Sequence, residues 1–311
     1  MKVYIEIPTW LGDAVMCTPA IENIVKAYPE VKITLFGTVL STEIFKNHPN
    51  VEMIIIDRSR NARFRFFWLM KKAKSLGIFD AALSFRSSFT SRVLIYFMNA
   101  QKKTVYRKNK DIERHQVLRY NDLVQQFFCM NPLPNDLQIY MEPEIYATPT
   151  LGINPGASYG SAKRWYPEKF AAVAVVLHKK YDIVIFGGPS EVDIAGDIEA
   201  ILKKNKITNY HNIAGQTDIE TLCKKIGGLS LFITGDSGPM HVAAAFKIPT
   251  VALFGPTKDK ETSQWHNTNS IIVKKEMECA PCMKRTCPLK HHECMKFITA
   301  EDVLEAVKKL A

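Results

Sequence analysis

The chain has 311 residues, of which 47% are hydrophobic and 23% charged, with a formal net charge of +10. That length supports two ordinary domains, and that balance excludes a disordered or low-complexity polypeptide. The positive excess favours an anionic partner (nucleic acid, an anionic membrane surface, or a phosphorylated or carboxylated substrate), although solubility alone accounts for it equally well.

No apolar run approaches the roughly 18 residues that a membrane span needs. Met1-Lys2 leads straight into Val3-Tyr4-Ile5-Glu6-Ile7, too short and too polar for a secretory signal. The sequence is therefore read as cytoplasmic, with its seven cysteines kept reduced.

In chain order, short β-branched runs alternate with segments of helical period. Strands are expected at 2–7, 32–37, 51–57, 79–85 and 103–107, with helices at 14–28, 61–76, 88–98 and 115–128 between them. A proline-rich stretch from Asn131 to Pro149 interrupts the pattern, because proline removes backbone donors and stops helices. Strands at 151–154, 182–187, 231–235 and 250–254 then alternate with helices at 167–180, 191–204, 218–227 and 239–246, and a last helix follows Thr299 over 300–310. Repeated strand–helix units imply α/β halves with parallel sheets. The expected domains are 1–147 and 148–311, with the last helix free to pack back on the first. Ligands of such sheets bind outside the carboxyl ends of the strands.

The loops at those ends carry the chemistry. Pro8-Thr9-Trp10-Leu11-Gly12-Asp13 lacks the dinucleotide fingerprint, so no nicotinamide cofactor is indicated. Asp13 reads equally as a helix cap or as a catalytic base. Farther on, Arg58, Arg60, Arg63, Arg65, Lys71, Lys72 and Lys74 interleave with Phe64, Phe66, Phe67 and Trp68. This suits an anionic membrane and a glycolipid acceptor; a core helix with a solvated charged face explains it equally. Nucleic acid is the rival, but no nucleic-acid motif accompanies the patch.

In the second half, Asn154-Pro-Gly-Ala-Ser158-Tyr-Gly-Ser161-Ala-Lys163 offers amides, hydroxyls and a point charge to a diphosphate, against the reading of a solvated loop. Gly187-Gly188-Pro189-Ser190-Glu191 ends a strand with an acid placed for a ribose hydroxyl, or simply for a helix first turn. Thr234-Gly-Asp236-Ser237-Gly238-Pro239-Met240-His241 is the strongest local signal: a strand end running into a helix whose amides from 237 to 240 would point at an anion.

GDAVMCTPAIENIVKAYP, GINPGASYGSAKRWYPEKF, IVIFGGPSE and ITGDSGPMHVAAAFKIPTVALFGPT together resemble the lipopolysaccharide heptosyltransferases, inverting enzymes of the GT-B type. The resemblance covers nearly the whole chain and is weak between about 58 and 145. It implies two Rossmann-like domains whose parallel sheets face each other across a cleft. Asp13 would be the general base, and Ser158 and Lys163 would bind phosphate, with Tyr159 standing where some members carry a second hydroxyl. Glu191 would lie near the nucleoside, Thr217 beside the adenine, and Asp236, Ser237, Gly238 and His241 around heptose and diphosphate. Arg58, Arg60 and Arg63 are the candidate acceptor residues. The implied partners are ADP-heptose, a heptosylated Kdo–lipid A acceptor of the lipopolysaccharide inner core, and the inner face of the cytoplasmic membrane as a peripheral site; no nucleic acid, cofactor or metal is expected. Alternatives are a type I enzyme acting on Kdo–lipid A, a sugar-nucleotide epimerase of the same plan, and a non-enzymatic sugar-binding protein.

Cys279, Cys282, Cys287 and Cys294, with His291 and His292 among them, have a spacing that could hold structural zinc. The spacing is irregular, and partly buried thiols or an adventitious disulfide are preferred. The segment CAPCMKRTCPLKHHECM also resembles the heptosyltransferase II branch.

Overall fold

Val3, Tyr4 and Ile5 are wholly buried, the pattern of a strand covered on both faces. They form β1 (Lys2–Glu6), the centre of a parallel sheet with β2 (Lys32–Gly37), β3 (Val51–Ile56), β4 (Ile78–Ser84) and β5 (Asn99–Val105) in the order β3-β2-β1-β4-β5. The computed structural model describes residues 1–59, 63–108 and 112–310, which divide into the units Met1–Met141 and Glu142–Ala311.

In the first unit, α1 (Leu11–Met16), α2 (Thr18–Ala27) and a short α3 (Val39–Thr42) follow β1 and β2. The helix expected at 14–28 is broken in two, because Pro19 in the first turn of α2 cannot continue the ladder of α1. Helices α4 (Arg65–Ser75) and α5 (Phe89–Phe97) share a core with Tyr4, Phe36, Phe79 and Ala82 of the sheet, through Leu69, Ala73, Leu94 and Ile95. Helix α6 (Gln116–Phe128) packs on α1 and α2.

The second unit holds β6 (Thr150–Asn154), β7 (Asp182–Ile185), β8 (Tyr210–Asn212), β9 (Leu231–Gly235), β10 (Thr250–Leu253) and β11 (Ser270–Val273), again all parallel, in the order β11-β10-β9-β6-β7-β8. Its helices are α7 (Pro167–Leu177), α8 (Val192–Lys204), α9 (Ile219–Gly227), α10 (Gly238–Ala245), the one-turn α11 (Asp259–Thr262) and α12 (Glu293–Lys296), and α13 (Ala300–Leu310). The edge strands β8 and β11 were not anticipated; β8 is only three residues long.

Residues 142–147, expected in the first domain, make contacts in the second unit. Glu144 donates its N–H to Lys224 O and pairs with Lys225, while the Tyr146 hydroxyl donates to Lys225 O, so residues 142–147 belong to the second unit. Val303, Ala306 and Val307 of α13 join the core formed by Leu151, Ile183 and Val251 of the second sheet. Trp165 closes that core from the loop after β6, donating its indole N–H to Ile298 O at 3.0 Å.

Candidate active site

The chain order of the second sheet reverses between β6 and β9, which lie side by side. Open α/β sheets bind ligands at such a switch point. Asn154 ends β6 buried, and its side-chain amide donates to Thr234 Oγ1 at 3.2 Å and to Ser237 Oγ at 3.3 Å. The loops after β6 and β9 are thereby tied together at their roots.

Above this tie lies a charged pair. Lys163, in the 3₁₀ turn Ser161–Lys163, places Nζ 2.6 Å from Asp236 Oδ2 and 3.2 Å from Asp236 O. Thr257, from the loop after β10, donates to the same carboxylate oxygen at 2.6 Å. Asp236 is buried, and Lys163 is largely so. The lysine also lies over the Tyr159 ring, 4.6 Å from its centroid, and the Arg285 guanidinium lies over that ring at 5.4 Å. Two cations thus lie over the ring of Tyr159.

The turn after β9 leads into α10 with Ser237 at the N-cap and Pro239 in the first turn. The expected set of amides narrows: Pro239 has none, and Met240 donates its own to Ser237 O. Ser237 and Gly238 remain as the donors at this dipole end. His241 is buried in the first turn.

Glu191 is also buried, and its Oε2 accepts the Gly188 N–H at 2.8 Å. A Cβ placed on Gly156 would lie 2.0 Å from Glu191 Cδ, so the loop after β6 rests directly on this carboxylate and requires glycine there. Ser158 is exposed, and Thr217 is half-buried just before Asp218, which caps α9 through Thr221 N–H at 2.7 Å. A shallow cavity of about 700 Å³ runs along β8 and is reached by Val192, Ala214 and Gln216, neighbours of Glu191 and Thr217.

In the first unit the chain order reverses between β1 and β4. Asp13 stands half-buried in the first turn of α1, two residues past its first residue Leu11, while Trp10 occupies the N-cap position. The neighbouring Cys17 thiol is pushed up, by burial first and then by the Asp13 charge; the Tyr120 hydroxyl is raised in the same way. Glu6 is buried at the end of β1, accepting from Ser84 Oγ at 2.5 Å and pairing with Arg86 at 3.0 Å. Burial raises the Glu6 carboxyl although Arg86 opposes it. Arg65 is not a free member of the basic cluster, since its Nε donates to Ser59 Oγ at 3.1 Å. Arg58 and Arg63 are exposed, and Arg60 lies outside the described residues.

The cysteine segment is a strap on the loop that follows β6. Ala162 N–H donates to Arg285 O, Tyr159 OH to Met283 O, and His292 Nε2 lies 2.9 Å from Ala162 O. Cys279, Cys282, Cys287 and Cys294 are free thiols around a small pocket that also touches Ala162 and Pro256. Burial and then the other three sulfurs push the Cys294 thiol up to about 11. Among the described residues, no group of three or more His, Cys, Asp or Glu is placed to hold a metal ion. No described helix is long and apolar enough to cross a membrane.

Comparison with known proteins identifies the family. The family model described as glycosyltransferase family 9 (heptosyltransferase) matches residues 69–293. Lipooligosaccharide heptosyltransferase 2 of Campylobacter jejuni is 40% identical, over all of this chain and 99% of its own. The chain belongs to glycosyltransferase family 9. Another family 9 relative, lipopolysaccharide heptosyltransferase 2 of Salmonella typhimurium, is 25% identical over all of this chain and 98% of its own. The solved structure of Escherichia coli ADP-heptose lipopolysaccharide heptosyltransferase II superposes with a TM-score of 0.79 at 23% identity, covering 100% of this chain and 98% of that one. The family 9 chain is therefore a glycosyltransferase with the GT-B fold, as its loop motifs imply. Sequence reasoning missed Thr257, Asn154 and the strap at Met283–Arg285. Thr257 was legible only as part of a strand-end loop, and nothing in the spacing paired it with Asp236.

Proposed function

We propose that this family 9 enzyme transfers heptose from ADP-L-glycero-D-manno-heptose to heptosyl-Kdo–lipid A, adding the second heptose of the lipopolysaccharide inner core with inversion. The observation that carries this reading is the Lys163–Asp236–Thr257 arrangement at the β6/β9 switch point. An ammonium, a carboxylate and a helix N-terminus within one small site suit a sugar diphosphate, which needs cation and amide donors at phosphate and acceptors at sugar hydroxyls. The relatives named as type 2 enzymes favour the heptosylated acceptor over plain Kdo–lipid A.

In this mechanism Lys163 and the Ser237 and Gly238 amides hold the diphosphate, Ser158 adds a hydroxyl, and Asp236 and His241 hold the sugar. Glu191 serves the ribose and Thr217 the adenine. Asp13 takes the proton from the acceptor hydroxyl as its oxygen bonds to C1. The bond from C1 to the phosphate oxygen breaks, and the charge gathering on ADP is met by Lys163 and the amides, which raises the rate because the charge grows toward the transition state. Arg58, Arg60 and Arg63 meet the anionic groups of the acceptor, and the enzyme works as a peripheral protein on the inner face of the cytoplasmic membrane.

A donor screen tests the reading. ADP-heptose, ADP-glucose and UDP-sugars are each incubated with the truncated lipid acceptor, and nucleotide release is followed. Release from ADP-heptose alone, and only with acceptor present, is expected. Acceptor-independent turnover of any donor contradicts it and favours an epimerase or hydrolase.

A further inference from the structure

The positive charge of the chain is not spread evenly. Residues 58–110 contain fourteen Lys and Arg and one acid, Asp80, an excess greater than the net +10 of the whole protein. The remainder is therefore net negative. Asp80 is engaged by the Lys2 N–H at 2.7 Å, and Asp57, just before the segment, is buried beside Arg65 and Arg86. The surface of α4, α5 and edge strand β5 is accordingly almost purely cationic.

That surface is also aromatic. Phe64 packs on Phe67 at 6.5 Å, Phe67 on Phe66 at 5.8 Å, Phe66 of α4 on Phe97 of α5 at 6.3 Å, and Phe97 on Tyr96 at 5.1 Å. Phe64, Phe67 and Tyr96 are 63%, 61% and 73% exposed, although each costs free energy in contact with water. Arg63 lies over Phe64 and Lys74 over Phe97, while Lys71, Lys102 and Lys103 stand exposed on the same elements. A contiguous exposed apolar row marks an interaction surface, and a cationic border states the sign of the partner.

We propose that the α4–α5 face is the surface by which the protein docks on an anionic phospholipid bilayer. The rings enter the boundary between headgroups and acyl chains, and the lysines stay at the headgroup level. Nucleic acid fits less well. Bases need open ring faces on which to stack, whereas these rings meet edge to face, at interplanar angles of 84° to 89°, and cover one another. The inference rests on the reading of a membrane-held acceptor, and it assigns that reading a surface.

Co-sedimentation tests it, using vesicles of phosphatidylethanolamine with phosphatidylglycerol, beside phosphatidylcholine vesicles, at low and high salt. The unmodified protein should bind only the anionic vesicles and release them as salt rises. Lys71→Ala with Lys74→Ala should weaken binding about fivefold for each cation removed. Phe64→Ser with Phe67→Ser should weaken it even at low salt. Lys179→Glu with Lys204→Glu, on exposed positions of the second unit, should weaken it far less. All variants should keep the unmodified far-ultraviolet dichroism and turnover on a soluble, delipidated core acceptor.

Absence of vesicle binding by the unmodified protein, or equal loss in the second-unit control, overturns the proposal. So does tighter binding to a single-stranded oligonucleotide at the same salt, lost in the same α4 variants. If the vesicle results are as expected but no acceptor is glycosylated, the docking surface stands and the transferase reading fails alone.

Discussion

Lys163 and Asp236 hold each other in place, with Nζ 2.6 Å from the carboxylate and 3.2 Å from the same residue's backbone oxygen. They come from loops that follow β6 and β9, more than seventy residues apart in the chain. Removing one member of a buried pair leaves the other charge uncompensated, which costs about 3 kcal/mol. Lys163→Ala should therefore lower both stability and ADP affinity, and slow turnover as well. Chemical denaturation and calorimetry read the two effects separately. Unchanged ADP affinity would remove Lys163 from the donor site and leave it a structural partner of Asp236.

Asp13→Asn keeps the size of the side chain and removes its capacity to accept a proton. Asp13 is an acid in the first turn of α1, so losing its charge should lower stability by about 0.3–1 kcal/mol, a small shift of the thermal midpoint. Turnover should fall by about 10²–10⁴, with ADP binding intact. Near-normal turnover would transfer the base to another residue.

Gly156→Ala puts a methyl group where Glu191 now lies. The carboxylate must move, so the protein should lose stability and nucleotide affinity together. Adding Glu191→Ala should restore the stability and leave the affinity low, if Glu191 serves the nucleoside. Recovery of both in the double variant would show that Glu191 only fills space beneath the loop.

The strap cysteines predict a pH dependence. Cys294 titrates near 11 in the fold, raised by burial and then by Cys279, Cys282 and Cys287; in the unfolded chain a thiol titrates near about 8.5. A raised pKa means that the folded state prefers the neutral thiol. Its contribution is complete below about 8.5 and is lost as pH rises toward the folded value. Denaturation midpoints should decline over that window, and less so in Cys294→Ala. At neutral pH a maleimide should label exposed Cys129 before Cys294. Stoichiometric zinc in the purified protein, with unfolding on chelation, would contradict this thiol reading.

Much of the fold was legible because the central strands of both sheets are buried on both faces. Val3–Ile5 and Leu231–Ile233 read as continuous apolar runs, and Pro167 and Pro239 mark helix starts. The three-residue β8 was not, since edge strands carry little apolar pattern. The donor-loop motifs were legible as strand-end loops, but their mutual geometry was not. Thr257 and Asn154 act through bonds to residues twenty-one and eighty positions away, which local periodicity does not encode. The strap was not legible for a similar reason: Met283 and Arg285 tie it to Tyr159 and Ala162 through backbone oxygens that any sequence would supply.

The central claim is heptose transfer from ADP-heptose to a heptosylated acceptor. Its most direct test is mass spectrometry of the acceptor after incubation with ADP-heptose, with heptosyl-Kdo–lipid A and Kdo–lipid A in parallel reactions and ADP release measured in each. Heptosyl-Kdo–lipid A should gain the mass of one heptose with an equivalent amount of ADP, while Kdo–lipid A stays unmodified. Modification of Kdo–lipid A in place of its heptosylated form, or consumption of ADP-heptose with neither acceptor changed, would contradict it.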